Sequence, residues 1–542
     1  MKWIKPEVIK KERVHQMMQK FGLDALSATL LARRGLDETE NLLYLVENKE
    51  VLLHNPFLMP DIEIAVERIS TAIEEQELVM VVGDRDADGV TSSALMVGYL
   101  CGKGLMPSVR LPMGDEPFGL TTTVVQEAIE QQVTLIICVD NGSTCHQAIA
   151  AANASYIDVV VFDHHDVSTQ ELGAYAFVNP KRDEKYPNKR LSASVVVWKA
   201  LFCLEFSYSG RLDRCDCLVY VTMKGEHLRV NLIHMVNFQA TRRLNLLFDG
   251  KDDAVLKQRF VQFVAGSQLY VYQATEQIRL LSDFFGADVY AVDLVDLLDS
   301  AYPGMSRMTL AQIYERSMML RLQGEGEVSE ALVLLYKVTI LAERADFPAY
   351  NAGIGLAMIG LLADAAPMLD ENRVLVVLGL AQLNQAVPHS LHGLLGRLGL
   401  LGESLTAHDL NWRFIPLINS AGRMGQPDIA LKALLECDEA LQQEYAEQLQ
   451  EFNTQRRALS EQWWDTLYES AKSSLNTYQN KVIYLCIKDL PRGLTGLLAG
   501  RFARTFNVFV VIIAPQSDSS TASASLRSVV SGHVGPFIEH FR

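Results

Sequence analysis

The sequence predicts an α/β protein: a parallel-sheet domain carrying an α/β insertion, then a long connecting helix and a partial second α/β unit. Three observations predict it. First, LVMVVGD (78–84), VTLIICVDNG (133–142) and DVVVFDHHD (158–166) are short apolar runs that end in acidic or polar residues. Stretches with helical spacing separate them, as expected for parallel strands buried on both faces. Second, residues 438–475 contain neither glycine nor proline and read as one helix. Third, residues 481–515 alternate strand, glycine turn, helix and strand.

The elements follow in order. LSATLLARRG and DIEIAVERISTAIEEQE carry apolar residues three and four apart, so the chain opens with helices. The parallel-sheet domain begins within 1–203 and resumes over 346–437, interrupted by an insertion over 204–345; the connecting helix spans 438–475 and the last unit 476–542. With 542 residues, 49% hydrophobic and 21% charged, the chain is long enough to bury several cores. No run of about 18 uncharged apolar residues is present, and MKWIKPEVIKKERVHQMMQK has charges where a signal peptide is apolar. The expectation is a cytoplasmic protein with no membrane segment. The eight cysteines are scattered without metal-site spacing and read as reduced thiols. A formal net charge of -16 excludes a globally basic nucleic-acid coat but leaves room for a local basic groove.

Ligands of parallel sheets bind beyond the carboxyl ends of the strands. Here those ends deliver Asp84, Asp86 and Asp88, then Asp140, then Asp163, His164 and His165 to one edge. Carboxylates and imidazoles converging there suit hard or borderline divalent cations, which would relieve the repulsion among the acids. Each piece alone has a plainer reading: Asp-x-Asp-x-Asp-Gly as a calcium loop or solvated turn, Asp-Asn-Gly as a turn, one histidine as structural. Their shared placement at strand ends argues for a cation site.

The ordered segments LLARRG (30–35), GDRDADGVTS, VDNG, DHH, VNPKR followed by Tyr186 and Pro187, LLADAAPMLDENRVLVVLGL, INSAGRMG and LPRGLTGLLAGR resemble the DHH phosphoesterases over 1 to about 203 and about 346 to 542. The ARRG stretch and the length resemble the family's single-strand exonuclease branch rather than its smaller members. The resemblance implies metal ligands Asp84, Asp86, Asp140, His164 and Asp364, holding two Mn²⁺ or Mg²⁺ ions about 3.5–4 Å apart. It implies that His165 touches the scissile phosphate and that Asp88 supports the site through hydrogen bonds. Asn419 and Arg423 become substrate contacts, and Arg501 and Arg527 nucleic-acid contacts in a partial DHH-associated domain, where Gly493 and Gly496 admit a close backbone. The implied activity is 5′-to-3′ hydrolysis of single-stranded DNA in repair and recombination. The alternatives are a phosphodiesterase of short oligonucleotides or cyclic dinucleotides, and a non-catalytic nucleic-acid-binding member.

The chain departs from the family pattern in several places. Arg85 stands where an aromatic residue is usual, LPMGDEPFGL lacks an arginine, and Leu490-Pro491 replaces the common Trp-His. The chain ends at Arg542, before the family's Gly-Gly-His segment, so an incomplete binding groove is expected. Residues 263–317, within the insertion, resemble the middle of proofreading-type exonucleases of the ribonuclease H-like class; the plainer reading is an unrelated α/β insertion. The acids of that class are missing: residues 218–225 hold none, Gln277 replaces the second-motif aspartate and Leu334 stands near the last. Asp293 survives but is not a metal ligand in that class. The insertion is therefore expected to be inactive and retained for packing or binding, including repair-protein partners.

Overall fold

The computed structural model describes residues 9–36, 39–47, 49–249, 253–299, 302–323, 327–515 and 522–529. Its centre is a five-stranded sheet of order β2-β1-β3-β4-β5, with β1 Val79–Val82, β2 Ser108–Arg110, β3 Leu135–Val139, β4 Asp158–Phe162 and β5 Ala176–Val178. Every pairing is parallel. The apolar runs are continuous because both faces are covered. Val79, Val81, Ile137, Val160 and Phe162 face one core, and Met80, Val82, Ile136, Val159 and Val161 face the other. The short strands β2 and β5 flank the three read from sequence.

Three apolar helices pack behind the first face: Ala87–Gly102, Ala193–Tyr208 and Pro348–Ala363. Their close approach needs Gly360, where a Cβ would sit 2.1 Å from Ser194 Oγ and 2.5 Å from Asp88 Oδ1. The last of these helices lies beyond the insertion, so the chain leaves this core and returns to complete it. Helix Ala193–Tyr208 runs past residue 203, and the insertion's sheet starts at Asp216.

That sheet has order β10-β9-β6-β7-β8, formed by β6 Asp216–Lys224, β7 His227–Val236, β8 Gln239–Phe248, β9 Gln268–Val271 and β10 Val292–Asp293. Strands β6, β7 and β8 are antiparallel, whereas β9 runs parallel to β6 and β10 to β9. Helix Ser329–Ala342 closes the insertion and buries Leu332, Leu335 and Tyr336 in the main core.

The helix Glu439–Thr477 spans 39 residues, about 58 Å at the standard rise. Asp438 caps it by accepting hydrogen bonds from the Ala440 and Leu441 amides. It leads into β11 Val482–Cys486, helix Arg492–Phe506, β12 Phe509–Pro515 and β13 Ala522–Arg527, in sheet order β11-β12-β13. The sequence expectation for the segment near Arg542 falls on residues 530–542, outside the described residues. All eight cysteines are free. Among the described residues no single helix is long and apolar enough to cross a membrane.

Candidate metal centre

The loop after β1 turns directly into helix Ala87–Gly102. Asp86 caps that helix, its Oδ1 accepting from the Asp88 and Gly89 amides at 3.0 and 3.2 Å. Asp84 Oδ1 accepts from the Arg85 amide at 2.7 Å. Asp88, two residues after the cap, is buried, and its two oxygens accept from the Ala193 and Ser194 amides at 2.8 and 3.0 Å. It thereby ties the start of one core helix to the start of another.

Asp140 follows β3 in a left-handed conformation, φ 62°. This is a strained region that an aspartate tolerates better than most residues and that recurs at functional sites. The turn delivers a carboxylate that is 3% exposed. Its Oδ1 is sealed from solvent and accepts no hydrogen bond, although His164 Nε2 lies 3.3 Å away and His165 Nδ1 4.0 Å. Asp364 arrives at the end of helix Pro348–Ala363, with Oδ2 3.8 Å from His164 Nδ1. Asp88 Oδ2 lies 3.7 Å from His164 Nε2.

Asp163, which the sequence places at the cation edge without distinguishing its part, organises the turn after β4. Its Oδ1 accepts from the His164 and His165 amides and from His165 Nδ1, the last at 2.7 Å, while Oδ2 accepts from the Ser143 amide at 3.0 Å. Ligand atoms of Asp140, Asp163, His164 and His165 all lie within 4.8 Å of one another. With these four donors on its carboxylate, Asp163 fixes the turn and orients the His165 ring.

Electrostatics express the same crowding. Burial, followed by the charges of Asp88, Asp86, Asp84 and Asp163, pushes the Asp140 carboxyl well above the usual carboxylate range. Burial and the Asp86 charge push Asp84 up to about 6. Withdrawal of water, then the Asp88 charge, raises Asp86. Burial also raises Asp364 to about 6, against the pull of His164. Burial opposes ionisation of Asp163, yet its bond to His165 and its other donors hold it far below the ordinary value. That same bond raises His165 to about 9. An orphaned buried carboxylate oxygen among acids that resist ionisation together fits a divalent cation as the missing partner.

Beside the acids lies a groove of about 480 Å³, bounded by Asp84, Asp86, Asn419, Arg423, Arg492 and Arg527 among others. Asn419 Oδ1 accepts from the Ala87 amide at 2.8 Å, fixing its helix against the loop after β1. Arg423 Nη1 donates to Gly493 O at 3.1 Å, linking the two walls. Gly493 is needed there, since a Cβ would fall 2.2 Å from Arg423 O. Arg501 does not join the groove. It lies against the connecting helix, 2.9 Å from Glu461 Oε1 and 4.1 Å from the Trp464 ring centre. Helical spacing alone does not tell which side of helix Arg492–Phe506 faces the long helix. Sequence reasoning also passed over Arg492 and Phe118, which line the groove from segments nearly 400 residues apart and carry no short-range signal.

Residues 78–217 match the DHH family, N-terminal domain. This segment is a DHH domain. Single-stranded-DNA-specific exonuclease RecJ of Bacillus subtilis (strain 168) is 28% identical over 316 residues, covering 55% of this chain and 40% of the relative. RecJ of Dickeya dadantii (strain 3937) is 33% identical over 190 residues, covering 34% and 32%. The chain thus spans well under half the length of these relatives. The crystal structure of RecJ in complex with Mn²⁺ from Thermus thermophilus superposes with a TM-score of 0.58 at 19% identity, covering 97% of this chain and 55% of that one. This likeness extends the shared fold beyond the DHH domain.

In the insertion, the Gln277 side chain bonds β6 at both ends: Oε1 accepts from Val221 N at 2.6 Å and Nε2 donates to Val221 O at 3.0 Å. Asp293 accepts from the Gln273, Ala274 and Val295 amides. Both side chains are thus committed to backbone contacts.

Proposed function

We propose that this chain is a cytoplasmic, metal-dependent exonuclease that hydrolyses single-stranded DNA from its 5′ end in repair and recombination. The observation that carries the reading is the buried, unpartnered Asp140 Oδ1 beside His164. Asp84, Asp86, Asp140, His164 and Asp364 would hold two Mn²⁺ or Mg²⁺ ions. When bound, such ions supply positive charge to the phosphodiester oxygens and make water a better nucleophile. Asp163 holds His165 by Nδ1, which leaves Nε2 for a phosphate oxygen. Arg423 and Arg527 present guanidinium groups to the strand, while Asn419 positions the metal loop. Exonuclease action on single-stranded DNA is supported by the likeness to RecJ proteins, and 5′ polarity is what the family resemblance of the motifs implies.

End-labelled single strands of several lengths, incubated with Mn²⁺, test the proposal. Shortening from the 5′ end that stops on EDTA addition supports it. Absence of cleavage at every length, or digestion only from 3′ ends, overturns it.

The insertion's strand order and the Gln277 clamp favour an exonuclease-like domain that has lost its chemistry and serves packing or partner binding, repair proteins included. Asp293→Asn should therefore leave single-strand hydrolysis within about twofold of wild type. Weakening its contacts to three amides should destabilise the insertion by about 1–3 kcal/mol, read as a lower Tm. A large loss of turnover at unchanged Tm would contradict this assignment.

A further inference from the structure

Two guanidinium groups in the groove meet on one ring. Arg85 comes from the metal loop and Arg492 from the start of helix Arg492–Phe506, and their Cζ atoms lie 4.5 and 4.4 Å from the Phe118 ring centre. Both are held by neutral carbonyls. Arg85 donates to Gly114 O at 3.0 Å and Glu116 O at 2.6 Å, and Arg492 to Asp115 O at 2.9 Å and Glu116 O at 2.8 Å. The Glu116 carboxylate is committed elsewhere, to Arg110 at 2.8 Å. Among the described residues no carboxylate pairs with Arg85 or Arg492. Arg85 is 9% exposed, and its Nε has no hydrogen-bond partner.

Burial and the neighbouring Arg492 charge work against the Arg85 guanidinium, and the charges of Asp84, Asp115 and Glu116, none in direct contact with it, together with the carbonyl bonds and the ring, offset only part of that cost. Both guanidinium groups line the groove, and their four carbonyl bonds use fewer than half of the ten N–H donors the two carry in the fork geometry that matches phosphate oxygens. An ammonium ligand is excluded by charge.

We propose that Arg85 and Arg492 form a phosphate subsite that binds a backbone phosphate of the single strand next to the scissile one. The assignment rests on the exonuclease reading given above. Since Arg85 stands between Asp84 and Asp86, a phosphate bound there aligns the neighbouring nucleotide with the metal centre. Since Arg492 belongs to the opposite wall, the same phosphate draws the two walls together. Phe118 acts as the spacer that sets the distance between the cations.

The test uses the full chain, a fluorescent oligothymidylate and the variants Arg492→Gln and Arg492→Lys. Binding is measured in EDTA over a salt series, and hydrolysis is measured separately with Mn²⁺. Arg492→Gln should raise Kd and KM about tenfold, change kcat less than twofold, and reduce the slope of log affinity against log salt by about 0.7, the loss of one phosphate contact to a single strand. Arg492→Lys should restore the slope. If Arg492→Gln keeps the wild-type slope and KM, the pair is only a latch between the walls and the subsite is refuted. If the wild type binds with the expected slope yet cuts nothing in Mn²⁺, the exonuclease reading fails while the subsite stands.

Discussion

Asp140→Ala should lower single-strand hydrolysis by a thousandfold or more and leave the Tm close to that of the wild type. The two halves of this expectation have separate causes. Asp140 lies nearest the meeting point of the site, 3.3 Å from His164 Nε2, with an oxygen that no protein donor satisfies. If Asp140 holds the cations, as proposed, its loss should remove several kcal/mol of transition-state stabilisation, and a thousandfold corresponds to about 4 kcal/mol. Stability responds differently, because the fold bears the burial and the repulsion from Asp88, Asp86, Asp84 and Asp163 whenever this carboxyl ionises. Deleting the group relieves that repulsion, whereas alanine at φ 62° costs about 1–2 kcal/mol. The two terms oppose each other. Asp140→Asn avoids most of the backbone cost and should be at least as stable as wild type while remaining inactive. Isothermal titration with Mn²⁺ and a thermal melt on the same samples separate the effects. Wild-type turnover in either variant would remove the two-ion reading.

What was legible in the sequence follows from burial. Strands β1, β3 and β4 announce themselves because both faces are covered, so each residue must be apolar until the strand ends, and there the acids appear together. Strands β2 and β5 are three residues long and lie at the sheet edges, and the partly exposed Ser-Val-Arg of β2 has no apolar run to report. Asp364 is a lone acid closing the apolar stretch AMIGLLAD, a signal that a helix-end aspartate shares, so family resemblance is what singles it out; the chain folds it back across the insertion to within 3.8 Å of His164. The role of Asp163 depends on four donors converging on one side chain, which adjacency to two histidines does not reveal. Arg501 shows the opposite failure. The motif points this basic residue at substrate, yet Trp464 and Glu461 on the long helix claim it.

Gly422→Ala should destabilise the chain by about 1–3 kcal/mol and cut hydrolysis about a hundredfold, although the residue carries no functional group. Its added Cβ would lie 2.1 Å from Arg85 O and 2.9 Å from Arg85 C. Both are backbone atoms, so no rotamer change relieves the clash. The loop itself is pinned: the Arg85 amide donates to Asp84, the Arg85 side chain donates to Gly114 O, and the Ala87 amide donates to Asn419, which sits on the same helix as Gly422. Helix Ile415–Arg423 and the loop after β1 must therefore separate, carrying Asp84 and Asp86 away from Asp140. A misplacement of about 1 Å at reacting groups costs on the order of a hundredfold. Gly396→Ala provides the contrast, because that glycine lies in helix His392–Arg397 and a Cβ there meets nothing within 4 Å. It should be neutral or stabilising by up to about 1 kcal/mol. Turnover, Mn²⁺ affinity and Tm measured for both variants decide the matter. If Gly422→Ala matches Gly396→Ala in all three, the metal loop is not held in register by this contact.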